Sequence, residues 1–139
     1  MGLPYIEKLK TEHTRLQTEL KNLLTVDISQ PHGKQELFRV MDALSVHMQV
    51  EDNGLYATLR KAARTDPEIA TTLEHFARDI QTLGADTVAF FDRYRSHGDP
   101  ISFRAELQTL YDRFLSRVRK EELVLFELYS QIQARLDPA

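Results

Sequence analysis

His47 and Glu51 stand four residues apart in the stretch HMQVEDNGLYATL at 47–59. On a helix that spacing puts an imidazole and a carboxylate on one face, a turn apart. The same face collects Leu37, Val40 and Leu44 before them and Leu55 and Leu59 after, so both polar groups are expected to point into a core. His13 is placed alike, inside the stripe Ile6, Leu9, His13, Leu16, Leu20 and Leu23, spaced 3, 4, 3, 4, 3. Further on, RVRKEELVLFELY at 117–129 aligns without gaps on 47–59. Glu121 matches Glu51, Asp52 matches Glu122, Leu125 matches Leu55, and Arg117 replaces His47.

An ionised carboxylate is costly to bury unless something cationic meets it. Imidazole and carboxylate groups projecting inward from several helices are how bundles hold metal ions, and a nitrogen–oxygen donor set without sulfur suits iron, manganese or zinc. The same residues also read as a hydrogen-bonded, salt-bridged layer that fixes helix register with no metal. The residues alone leave both readings open. His75 is a further imidazole, but it shares a polar face with Thr72, Asp79, Thr82 and Asp86 and is read as solvated rather than liganding. His32 and His97 fall in loops and are read as surface residues, and Tyr56 and Tyr129 as core-edge residues.

Four amphipathic helices would position these groups. The first begins near Pro4. TVDISQPHGK, with Pro31 and Gly33, reads as a loop, and a second helix runs from about Gln35 to Arg64. Gly54 inside it costs about 1 kcal/mol relative to alanine, which marks a close helix approach. Asp66 and Pro67 cap a third helix, whose seam is Ile69, Leu73, Phe76, Ile80, Leu83, Thr87, Phe90 and Tyr94. HGDP at 97–100 ends it and caps a fourth, which frays towards LDPA. Short loops between long helices predict an all-α, antiparallel up-down-up-down four-helix bundle, one domain over 1–139. Residues equidistant from a connecting loop lie at one depth, so His13, His47, Glu51, Arg117 and Glu121 are expected in one layer near mid-bundle.

Composition narrows the function classes. The 139 residues include no cysteine, which excludes thiolate catalysis, disulfides and iron–sulfur clusters. Apolar residues make up 42% and charged residues 28%, ordinary for a globular chain. A net charge of -3, with bases and acids interspersed, gives no nucleic-acid footprint. No apolar run approaches the roughly 20 residues of a membrane span. MGLPYIEKLK has no signal-peptide core, so a cytoplasmic location is the default expectation.

His13, then HMQVEDNGLYATL, then RKEELVLFELY together resemble the hemerythrin-like (HHE, cation-binding) domains. The resemblance spans nearly the whole chain. It implies an antiparallel four-helix bundle with a non-heme di-iron centre that binds dioxygen or nitric oxide, or senses oxygen or iron. By it, His13, His47 and Glu51 match the half-site of the first two helices, and Glu121 matches the carboxylate of the fourth. Arg117 replaces a family histidine, and the third helix offers Phe76 and Ile80 where another is expected. Ala57 and Glu127 replace prolines, which affects packing rather than ligation.

Arg117 carries a permanent charge on a fork suited to carboxylates. Between Glu51 and Glu121 it would stand in for a missing metal charge. The expectation is therefore a degenerate metal-binding or sensory domain, not an enzyme, holding a single iron or no metal. The alternative is a metal-free helical-bundle interaction or regulatory protein that binds a protein partner, with Arg60, Lys61 and Arg64, or Arg93 and Arg95, as contacts, although these cations read first as a solvated charged face. Oligomeric state is not set by the sequence.

Overall fold

In the computed structural model, which describes residues 3–96 and 98–136, four helical rods pack side by side. The first is α1 (Leu3–Leu23). The second is α2 (Pro31–Glu51), a π-helical turn (Asp52–Tyr56) and α3 (Ala57–Ala63). The third is α4 (Pro67–Ser96). The fourth is α5 (Pro100–Lys120), a second π turn (Glu121–Leu125) and α6 (Phe126–Leu136). Every member of the α1 stripe, His13 included, is buried. Asp66 Oδ1 accepts from the Glu68 and Ile69 amides, and Asp99 Oδ2 accepts from Ser102, so both expected caps are made. His97 and the expected fraying at 137–139 lie outside the described residues.

The second rod starts earlier than the sequence suggests. Pro31 is the first residue of α2, where its missing N–H costs nothing. Gly33, read as part of the loop, sits in that first turn against the loop backbone, where a Cβ would stand 2.6 Å from the Asp27 carbonyl carbon. Here proline and glycine start a helix and admit a close approach rather than break the chain.

Both π turns follow from spacing. Inward positions 47, 51, 55 and 59 recur every four residues, as do 117, 121, 125 and 129, and all eight are buried. On a regular α-helix each such step overshoots one turn by about 40°, so three steps would swing the stripe off the core. A wider turn, closing i to i+5, absorbs the surplus. The repeated motif thus produces the same backbone deviation twice, beside Glu51 and at Glu121.

The core is in two parts. One apolar cluster holds Leu16, Leu20, Leu37, Leu44, Phe90 and Phe103 among others. The second holds Ile6, Leu9, Leu55, Leu59, Ile69 and Leu125 among others. Between them lie the buried polar residues His13, His47, Glu51, Arg117 and Glu121. Exposed ion pairs such as Arg39–Glu36 and Lys120–Asp79 contribute little, about 0–1 kcal/mol each, so the two clusters carry the fold. Among the described residues, no helix is long and apolar enough to cross a membrane.

Candidate metal centre

Glu51 is the hub of the polar layer and is 1% exposed. Its Oε2 lies 3.1 Å from His13 Nε2 and 3.3 Å from His47 Nε2. Its Oε1 accepts from Arg117 Nη2 at 3.3 Å. Glu121 closes the layer, with Oε1 3.1 Å from His13 Nε2 and Oε2 accepting from Arg117 Nε at 3.1 Å. The Tyr56 hydroxyl donates to that same Oε2. The four rods do not contribute equally. The first gives His13, the second His47, Glu51 and Tyr56, and the fourth Arg117 and Glu121. The third presents Phe76, Ile80 and Leu83 to a cavity of about 150 Å³ that Arg117 and Glu121 also line.

The outer nitrogens of both histidines are fixed. His13 Nδ1 donates to Glu122 Oε2 at 2.8 Å, and His47 Nδ1 donates to Glu12 Oε1 at 2.7 Å. With the proton held on Nδ1, a neutral imidazole turns the lone pair of Nε2 inward. Both Nε2 atoms therefore converge on one oxygen, Glu51 Oε2. His47 Nε2 is close to that oxygen but not aligned for a hydrogen bond, and it is a buried nitrogen without a hydrogen-bond partner among the described residues.

Titration behaviour follows from this crowding. Burial works against a charged His13, but hydrogen bonds to Glu121, Glu51 and Glu122 outweigh it and push the imidazole up to about 10. His47 is also raised, with burial opposing Glu51 and Glu12. Burial penalises the Glu51 charge too, yet His13 and His47 hold its carboxyl below the usual range. Glu121 goes the other way: burial raises it and the Glu51 charge adds, against the pull of His13 and Arg117. Without a metal, the cationic partners in the layer are His13, close to both Glu51 and Glu121, and Arg117, bonded to both.

The donor set fits one metal ion. His13, His47 and Glu51 each offer a ligand atom, all within 4.8 Å of one another, and Glu121 Oε1 is near His13. Two imidazoles and carboxylate oxygen suit iron, manganese or zinc. The Arg117 guanidinium occupies the far side of both carboxylates, and α4 lines the cavity there with Phe76, Ile80 and Leu83 and with Asp79, whose carboxylate is paired with Lys120.

The structure brings His13, His47, Glu51, Glu121 and Arg117 into one layer and leaves His75 exposed on α4, with His32 exposed at the start of α2. Tyr56 is a correction. It is no core-edge residue but a fully buried donor to Glu121, with the Arg117 guanidinium carbon 5.5 Å from its ring centre. Glu12 and Glu122 were missed. Each is adjacent in sequence to a buried site residue, and that pairing was the available signal.

A helical bundle with a buried His/His/Glu group is a cation-site architecture. The family model for the hemerythrin HHE cation-binding domain matches residues 5–129, and the chain belongs to that family. Comparison with curated proteins and with solved structures returned no match.

Proposed function

We propose that the protein is a single-cation hemerythrin-like domain, with iron as the ion and a binding or sensory role rather than a catalytic one. The observation that supports it most is the convergence of His13 Nε2 and His47 Nε2 on Glu51 Oε2, with both Nδ1 atoms tied to carboxylates. Two lone pairs and an anionic oxygen at one point repel unless a proton or a cation lies between them. His13, His47 and Glu51 would hold the ion, with Glu121 as the nearest further oxygen. Iron in such a site supplies a binding position for a diatomic ligand such as dioxygen or nitric oxide. Arg117 keeps the second carboxylate face neutral, Tyr56 steadies Glu121, and the two apolar clusters exclude bulk water. Anaerobic addition of ferrous ion, followed by metal quantification and an absorption spectrum before and after air, tests this reading.

A second reading is supported by Arg117 itself. Its pairing with both Glu51 and Glu121, together with His13⁺, balances the buried charge without any metal. The layer would then fix register in a bundle that binds a protein partner. Copurification of a partner with protein that takes up no iron, manganese or zinc separates this reading from the first.

A further inference from the structure

The π turn after Glu51 is not held by backbone bonds alone. The Leu55 amide donates to the Tyr5 hydroxyl at 2.9 Å, and that hydroxyl donates to the Val50 carbonyl at 2.9 Å. Residues 50 and 55 are the i, i+5 pair that a π turn would otherwise join directly. A side chain from α1 is therefore inserted as a relay into the backbone ladder of the second rod. Gly54 makes room for it: a Cβ there would stand 2.6 Å from Tyr5 Cζ. The glycine that looked like a cost in the helix is thus the seat of a tyrosine ring.

The fourth rod shows that the relay is not needed merely to form a π turn. Glu121–Leu125 adopts one with Val124 at the position matching Gly54. Among the described residues, no side chain bonds the Lys120 carbonyl or the Leu125 amide there. What distinguishes the α2 turn is its neighbour, Glu51, on which both histidines converge. Val50 and Leu55 bracket Glu51, and Tyr5 and His13 lie about two turns apart on the same helix. One hydroxyl therefore ties the backbone around Glu51 to the helix that carries His13.

From this geometry we infer that Tyr5 is a positioning residue for the cation centre, its hydroxyl holding Glu51 in register with His13 and His47. The inference rests on the single-cation reading above. Its test is the affinity for zinc or ferrous ion, by chelator competition, of the unsubstituted protein and of Tyr5→Phe, Gly54→Ala and Tyr129→Phe. Tyr129 packs on Tyr5 at 5.3 Å between ring centres, and its hydroxyl has no hydrogen-bond partner among the described residues, so it controls for loss of a tyrosine oxygen. Tyr5→Phe is expected to bind about tenfold more weakly, the size typical of removing a group that orients a ligand, with Tyr129→Phe unchanged. Gly54→Ala displaces the ring and weakens binding likewise. In the metal-free protein, amide exchange at Leu55 is expected to quicken in Tyr5→Phe. Unchanged affinity in Tyr5→Phe, or an unchanged Leu55 amide, overturns the role of Tyr5 alone. No cation bound by the unsubstituted protein overturns the single-cation reading itself, and the role of Tyr5 with it.

Discussion

His47 and Arg117 occupy matching positions in the two repeated motifs and meet the same carboxylate on different oxygens. His47 Nε2 lies 3.3 Å from Glu51 Oε2, and Arg117 Nη2 lies 3.3 Å from Glu51 Oε1. One copy of the motif supplies an imidazole, and the other supplies a permanent cation. The asymmetry of the centre follows from that exchange.

Replacing the built-in cation should show it. Arg117→Met leaves two buried carboxylates facing one protonated histidine. Denaturant unfolding of the metal-free variant is expected to show a loss of about 3–5 kcal/mol, as for removal of one partner of a buried pair. A loss under 1 kcal/mol would mean that Arg117 is not balancing the layer.

Arg117→His restores an imidazole where a charge stood, and metal content after iron loading should rise above that of the unsubstituted protein. No gain would count against the guanidinium as a surrogate for metal charge.

Stability of the metal-stripped protein should depend on pH through His13 and Glu51. The folded His13 value, about 10, lies above its ordinary 6.5, so its contribution is complete below pH 6.5 and fades as pH rises towards 10. Glu51 is lowered from 4.5, so its contribution is present above that value and is lost as pH falls through the folded one. Urea midpoints should therefore decline from pH 6.5 upward, and His13→Gln should flatten that decline. Cation binding needs an unprotonated Nε2 on His13, so affinity should rise over the same interval.

Tyr56→Phe removes a donor from a buried carboxylate and should cost about 1–3 kcal/mol in thermal or urea unfolding of the metal-free protein. A neutral result would show that Glu121 is satisfied without it.

Much of this was legible in residue spacing. The 3, 4, 3, 4, 3 stripe places His13 inward, and the unbroken alignment of 47–59 on 117–129 pairs Glu51 with Glu121 and His47 with Arg117. The run of inward residues every four positions also encodes the π turns, although only the structure shows how the surplus rotation is absorbed. Tyr5 could not be read from sequence. Its partners are backbone atoms of another helix, and Gly54 signals an approach without naming what approaches. Glu12 and Glu122 were hidden for a related reason: partly exposed acids on helix flanks look solvated until an imidazole nitrogen is found against them. Pro31 and Gly33 misled because the same residue types start helices and break them.

The central claim is one cation, with Arg117 in place of a second. Metal quantification by mass spectrometry, after anaerobic ferrous loading and removal of free ion, tests it most directly. About one iron per chain is predicted, falling to background in His47→Ala, because three converging donors serve one ion. About two irons per chain would contradict the role of Arg117, and none would contradict the cation site.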